Sequence, residues 1–291
     1  MDLFHPLSPV VPVFLLVATG FAFAHWKKIS LASVTEIIVY LGTPSLVFTS
    51  LASRPLFAGD IAVLFSCLLL IFVGVGLWSR VYFFLFRFRS RGFALPILFM
   101  NAGNMGIPLA LFAFGPAGMQ RATLLFVMVT FLQYSLGIYI LNGRGNWTET
   151  FSLPLIYATI AGLSFNLGAV KIPDVLFQPL WMLGQATIPL MLVSLGYRLH
   201  NVESLQWGHA LGGALLRIIG GFAAAVAAVN LIGVEGINRQ VLILYGSLPA
   251  AVINFVLTEK YHQDPELAAS IVVFSTVISV ITIPLVFWLI L

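Results

Sequence analysis

The chain has 291 residues, of which 60% are hydrophobic and 8% are charged, and its net charge at pH 7 is +4. Soluble domains carry about 25% charged residues, so this composition excludes an ordinary soluble protein and predicts a surface that faces lipid. A single cysteine, Cys67, excludes internal disulfides and cysteine-rich metal sites. We attribute the positive charge to membrane topology and expect no nucleic-acid partner.

Ten apolar runs follow one another, each near the length of about 20 residues that a membrane-spanning helix requires. The predicted spans 1 to 10 cover residues 10–24, 34–52, 61–82, 93–114, 123–141, 153–168, 176–197, 208–232, 240–259 and 267–291. The loops between them are short and leave no room for a separate soluble domain. The predicted fold is therefore an all-α polytopic membrane protein.

Basic residues are concentrated in alternate loops. If the N-terminus is outside, nine basic residues lie in inner loops and four in outer loops. The nine are Lys27, Lys28, Arg80, Arg87, Arg89, Arg91, Arg144, Arg198 and Lys260, and the four are Arg54, Arg121, Lys171 and Arg239. The positive-inside rule then places both termini on the outer side. We expect an integral protein of a bacterial inner (plasma) membrane.

The two halves of the chain resemble each other. The segment 12-PVFLLVATGFAF-23 resembles 154-PLIYATIAGLSF-165, 44-PSLVFTSLASR-54 resembles 189-PLMLVSLGYR-198, and 122-ATLLFVMVT-130 resembles 268-AASIVVFST-276. The three pairs occur in the same order, with offsets of 142 to 146 residues. We therefore predict a first five-helix repeat at 1–141, a cytoplasmic linker at 142–152 and a second five-helix repeat at 153–291. Because five is odd, the second repeat is inverted in the membrane.

Span 4 contains residues that disfavour a continuous helix. Its segment 99-FMNAGNMGIPLALFAFG-115 holds two Asn, two Gly and one Pro within eight residues: Asn101, Gly103, Asn104, Gly106 and Pro108. Non-helical backbone at membrane depth is tolerated only where it is buried in protein or lines a wet cavity. For one helix alone, a kink that serves packing is an equally good interpretation.

The corresponding part of span 9 is also interrupted, which favours a binding site. An offset of 146 residues brings Ser247, Pro249 and Asn254 into register with the interruption in span 4. Paired interruptions in inverted repeats indicate a substrate site at the repeat interface. A helix N-terminus there offers N–H groups and partial positive charge to an anion. The amides of Asn101 and Asn254 could contact the anion, while Pro108 and Pro249 keep the helices open.

Polar residues elsewhere in the spans allow two interpretations each. Arg217 lies about ten residues into span 8, where a charge costs at least about 2.5 kcal/mol. It could be a counter-charge for a substrate carboxylate, or its side chain could snorkel to the cytoplasmic surface. Gln133, Tyr134 and Gln185 could line a cavity, although hydrogen bonds between neighbouring helices are the interpretation that we favour.

Enzyme motifs are absent from the sequence. There is no Walker Gly-Lys-Ser/Thr, no H-E-x-x-H and no G-x-S-x-G. We expect neither an enzyme nor a cofactor or metal site. The acidic residues fall near the predicted ends of spans, so no mid-span carboxylate offers a ligand for H⁺ or Na⁺. Coupling to either ion stays open, and the alternative is uniport driven by the membrane potential.

The motif N-x-G-x-x-G-x-P-L, which runs from Asn101 to Leu109, resembles the auxin efflux carrier family, as does the ending 261-YHQDPELAASIVVFSTVISVITIP-284. That family includes plant exporters of the indole carboxylate auxin and bacterial permeases proposed for malate and malonate. The resemblance covers the whole chain and implies ten spans, outside termini and a crossing of spans 4 and 9. It also implies that spans 2 and 7 form a scaffold or a homodimer face. The short linker is similar to that of the bacterial members.

We therefore expect a secondary transporter that moves small organic anions, auxin-like or malate-like carboxylates, by alternating access. The candidate substrate-binding residues are Asn101, Gly103, Asn104, Gly106, Pro108, Arg217, Ser247, Pro249 and Asn254. The alternatives are a sodium-coupled symporter of the bile acid:sodium type, which shares the crossed-helix architecture, and an anion channel or sensor.

Overall fold

The computed structural model of the protein describes residues 7–200 and 205–291. Within these ranges the secondary structure is helical, apart from an isolated antiparallel bridge between Met100 and Ala250. The first six residues of the predicted first repeat lie outside the described part of the chain.

The described residues form twelve helices. They are α1 (Val10–Trp26), α2 (Ala32–Ala52), α3 (Ala58–Phe86), α4 (Arg91–Leu98), α5 (Ala102–Asn142), α6 (Trp147–Phe151), α7 (Pro154–Leu167), α8 (Asp174–His200), α9 (Gly208–Ile232), α10 (Gly236–Ser247), α11 (Ile253–Lys260) and α12 (Pro265–Ile290). Single π-helical turns lie within α2 (Ile38–Gly42), α5 (Ala102–Gly106 and Gln133–Gly137) and α9 (Leu216–Gly220).

Six of these helices, α2, α3, α5, α8, α9 and α12, are long and apolar enough to cross a membrane. Two further apolar helices, α1 and α7, are shorter. The ten predicted spans therefore do not correspond one to one with helices of spanning length: spans 1 and 6 fall on the two shorter helices, and α5 covers part of span 4 and all of span 5. Span 4 and span 9 are each divided into two helices. At Gly115, whose φ of 65° favours glycine, α5 bends one residue after the predicted end of span 4.

The ends of the helices lie on two opposite sides of the molecule. On one side, the backbone N–H of Ile29 donates to Tyr197 Oη at 2.7 Å, and Lys260 forms an ion pair with Glu149 at 2.7 Å. We call this the basic side, after the residues that the sequence analysis assigned to inner loops. On the opposite side, the N–H of Leu56 donates to Asn166 Oδ1 at 3.0 Å. The two sides are about 30 Å apart, since α2 runs from one to the other over 21 residues.

The helices pack as two groups. In the first group, α8 packs against α1 and α2, and α2 packs against α7. In the second group, α9 packs against α3, α10 and α12. Helix α12 also packs against α4 and α11, and α5 packs against α10. Small residues allow close approach in the first group: a Cβ at Gly20 would lie 2.0 Å from the Val193 oxygen, and one at Gly196 would lie 1.8 Å from the Val17 oxygen.

Candidate functional site

The two interruptions meet in the interior. After α4 ends at Leu98, the backbone is extended at Phe99, and after α10 ends at Ser247 it is extended at Leu248. The N–H of Asn101 donates to the Pro249 oxygen at 2.7 Å, and the N–H of Ala251 donates to the Phe99 oxygen at 3.1 Å. Each break thus supplies hydrogen-bond partners for backbone groups that the other break leaves without helical partners.

Four helix ends converge at this crossing. The C-terminal ends of α4 and α10 bring carbonyl oxygens with partial negative charge, and the N-terminal ends of α5 and α11 bring N–H groups with partial positive charge. The two breaks meet in a short antiparallel contact between Met100 and Ala250, and we call this contact the crossing. Such a junction can hold charged groups of either sign, depending on which ends face the ligand.

Arg217 compensates the two C-terminal ends. Its Nη1 donates to the oxygens of Ile97 and Leu98 at 2.7 and 3.1 Å, and its Nη2 donates to the Gly246 oxygen at 2.8 Å. The side chain is 0% exposed, so it does not reach a surface. A Cβ at Gly221 would lie 2.0 Å from Arg217 Nη2, so a residue without a side chain is needed there. Arg217 joins α4 to α10 through α9.

A cavity of about 300 Å³ lies beside the crossing, between the two helix groups. It is lined by residues of α2, α5, α8 and α11 and of the two breaks, and apolar side chains predominate. The polar side chains among the lining residues are Thr35, Thr43, Asn101, Asn104, Thr130, Gln133, Tyr134, Ser194 and Arg198. Among the described lining residues there is no carboxylate. The volume is at the small end of the range for ligand pockets, about 300–1,000 Å³.

Asn101 is the most informative polar residue of the cavity. It is 3% exposed, and its side-chain nitrogen Nδ2 has no hydrogen-bond partner among the described residues. A buried amide N–H without a partner costs about 1–3 kcal/mol, so native proteins rarely keep one without a reason. The neighbouring Gly103 and Asn104 lie in the first turn of α5, where N–H groups have no acceptor within the helix. These donors suit a ligand oxygen.

A second network of side-chain amides lies beside the cavity and the break after α4. Asn254 Nδ2 donates to the Phe99 oxygen at 2.8 Å, and Asn254 Oδ1 accepts from Gln133 Nε2 at 2.6 Å. The Asn254 side chain thus bonds the backbone of the break that follows α4, and Gln133 lines the cavity. Gln133 combines the two roles between which the sequence analysis had to choose, since it both bonds a neighbouring helix and faces the cavity.

The predicted site residues divide into two sets. Asn101, Gly103 and Asn104 line the cavity. The other six surround the crossing and are not among the lining residues: Gly106, Pro108, Arg217, Ser247, Pro249 and Asn254. Among them, Ser247 Oγ donates to the Ile243 oxygen at 2.7 Å within its own helix.

The two prolines occupy different positions relative to their breaks. The Pro249 carbonyl accepts a hydrogen bond from the other break. Pro108 lies inside α5, two residues after the π-helical turn Ala102–Gly106, so the break precedes it by about seven residues. A wider π turn relieves the contact between a proline ring and the carbonyl of the preceding turn.

Several residues of the cavity were not predicted from the sequence. Arg198 was counted only as a loop cation, and the hydroxyl groups of Thr43, Thr130 and Ser194 were not considered. The internal repeat gives a signal for two of them, because Ser194 lies in the paired segment that starts at Pro189 and Thr43 directly precedes the one that starts at Pro44. Nothing in their local sequence identifies which face of the helix meets the cavity.

The chain is similar in sequence to known transport proteins. The profile of the family described as membrane transport protein matches residues 144–287. An uncharacterized transporter of Methanocaldococcus jannaschii is 28% identical over 307 residues, covering 98% of this chain and 99% of that protein. A second uncharacterized transporter, from Methanothermobacter thermautotrophicus, is 26% identical and covers 87% of each chain.

Plant proteins match a smaller part of the chain. Auxin efflux carrier component 1 of Arabidopsis thaliana is 24% identical over 140 residues, which cover 46% of this chain and 22% of that protein. The resemblance inferred from the Asn101–Leu109 motif is confirmed by these matches. The chain therefore has apolar helices long enough to cross a membrane, and it resembles membrane transport proteins of the auxin efflux carrier family.

Proposed function

We propose that the protein is a secondary transporter of small organic anions, carboxylates of auxin-like or malate-like size, and that it works by alternating access. The observation that carries this proposal is the unpartnered amide nitrogen of Asn101, which is buried beside a cavity without a carboxylate among its described lining residues. An oxygen of a bound anion would supply the missing acceptor. The N-terminal end of α5 adds partial positive charge at the same place.

The proposed membrane arrangement has ten passes and two inverted repeats, 1–141 and 153–291, joined by a short linker. In this count, α4 and the part of α5 up to Gly115 form one pass, the rest of α5 forms the next pass, and α10 and α11 together form one pass. The basic side would face the cytoplasm, with both termini outside. The cavity extends to Thr35 and Arg198, which lie near the ends of their helices on the basic side. This corresponds to an inward-facing state.

Plant relatives whose names describe auxin efflux support an anionic substrate. Their match covers less than half of this chain, so the identity of the carboxylate requires direct measurement. A thermal-shift screen of the purified protein against mono- and dicarboxylates, with and without Na⁺ and at several pH values, would identify the substrate and any coupling ion.

The replacement Asn101→Ala tests the proposal in proteoliposomes. Because the amide nitrogen has no protein partner, its removal should change stability by less than about 1 kcal/mol. Uptake of the stabilising carboxylate should nevertheless be lost. Asn142→Ala, at the exposed last residue of α5, is the matched control and should transport normally. Full uptake by a folded Asn101→Ala protein would refute the proposed site.

A further inference from the structure

Arg198 is the charged residue of the cavity. It lies in the last turn of α8 and is half-buried, and its Nη2 donates to Thr35 Oγ1 at 2.7 Å. Both side chains line the cavity, and both lie near the ends of their helices on the basic side. Among the described lining residues no other side chain carries a charge.

The charge of Arg198 is not compensated by an acid in the described part of the chain. The ion pairs found there join Arg121 to Asp60 and Lys260 to Glu149, and neither involves Arg198. A guanidinium has five N–H donors in a planar fork that matches a carboxylate. The hydrogen bond to Thr35 uses one donor and fixes the orientation of the fork, so several donors are left for a ligand.

Arg217 cannot take this role in the same state. Its terminal nitrogens are bonded to three carbonyl oxygens at the crossing, and it does not line the cavity. Among the described lining residues, Arg198 is therefore the side chain that brings a full charge to the cavity. A cleft with one sign of charge and apolar walls concentrates ligands of the opposite sign.

We propose that Arg198 selects the substrate by charge: its guanidinium binds the carboxylate of the incoming anion at the basic-side end of the cavity. Thr35 is the positioning residue that holds the guanidinium in place. The inference rests on the proposed function and deepens it, because it assigns anion selectivity to a residue other than Asn101. The anion meets Arg198 at the opening and the unpartnered Asn101 amide at the crossing.

The test uses two matched pairs of ligands, phenylacetate with phenylacetamide and malate with malamide, which differ in charge and little in size. Binding of each to the purified full-length protein is measured by calorimetry at low and high salt. For each pair that wild-type protein binds, we expect the anion to bind at least about tenfold more tightly than its amide. Its binding should weaken as salt is added.

Arg198→Gln should reduce that preference to about threefold or less and remove most of the salt dependence. Arg198→Lys retains the charge without the fork, so it should preserve the salt dependence and recover part of the affinity. Arg144→Gln removes an exposed cation from the linker and is the control for net charge. Melting temperatures establish that each variant is folded, and Arg198→Lys keeps the test decisive if the Gln variant unfolds.

Two results would overturn the inference separately from the proposed function. In the first, Asn101→Ala no longer binds the anion, while Arg198→Gln binds it as tightly as Arg144→Gln does. In the second, the Arg198→Gln protein keeps both the wild-type preference for the anion over its amide and the wild-type salt dependence. If wild-type protein binds none of the four ligands and no carboxylate of the thermal-shift screen, both proposals fail together.

Discussion

At the scale of single residues, Arg217 has a role that differs from both sequence-based interpretations. The sequence shows a cation within an apolar run, which suggests a ligand or a route to the surface. Its acceptors in the structure lie 120 and 29 residues away, at Ile97 and Gly246. No local pattern relates a side chain to carbonyl groups that become available only when two distant helices end beside it.

The contacts of Arg217 predict a large effect on stability. Arg217→Met would leave three carbonyl oxygens without their donor, and each unsatisfied group costs about 1–3 kcal/mol. After allowance for the relieved burial of charge, we expect a loss of roughly 3 kcal/mol, measured by unfolding in detergent. Arg89→Met, at an exposed site, should unfold like wild type. Equal stability of the two variants would show that the network contributes little.

At the scale of helices, the close approach of α9 and α10 depends on Gly221. A Cβ at this position would lie 2.1 Å from the Gly246 oxygen, which belongs to the backbone and cannot rotate away. Gly221→Ala should therefore lower stability by about 2 kcal/mol or more, in the range of overpacked cores, and should separate Arg217 from the end of α10.

Gly59→Ala is the control for this prediction. Gly59 is also helical, but nothing lies within 4 Å of its added Cβ. Here alanine should stabilise slightly, by up to about 1 kcal/mol, because it favours a helix over the unfolded chain. Melting temperatures of the two variants give the comparison, and a Gly221→Ala protein as stable as wild type would disprove the steric argument.

The sequence located the interruptions better than it described them. Asn101, Gly103 and Pro249 identified both broken helices, because residues that disfavour helices are conspicuous among leucine and phenylalanine. The break in α4 falls at Phe99 to Asn101 and not at Pro108, since a π-helical turn accommodates the proline. Which backbone groups pair across the crossing depends on tertiary contacts, and composition contains no information about them.

At the scale of the whole molecule, the two helix groups are joined on the side opposite the basic side. Gln120, which is 1% exposed, donates through Nε2 to the oxygens of Leu51 and Arg54 at 3.3 and 2.5 Å. Ser50 and Thr123 also bond each other, at 3.0 Å. These contacts join α2 of the first group to α5 of the second. In an alternating-access cycle they would have to break before the cavity could open outward.

Gln120→Ala should therefore shift the population toward the outward-facing state. A cysteine placed in the cavity by Thr130→Cys reports the change, because the native Cys67 is buried. A membrane-impermeant thiol reagent applied on the outer side should label this cysteine several-fold faster when Gln120 is replaced. Gln263→Ala, on the basic side, should leave the rate unchanged. Equal outer labelling with and without Gln120 would exclude it from the outer closure.

The measurement that tests the central claim most directly is ligand protection of that same cysteine. The carboxylate that most stabilises wild-type protein is added to Thr130→Cys, and the rate of alkylation is followed as its concentration rises. We predict that alkylation slows with the same half-saturation as binding, while a cysteine at exposed Ser33 reacts at an unchanged rate. Undiminished alkylation of Thr130→Cys at saturating carboxylate would place the bound anion away from the crossing and contradict the account.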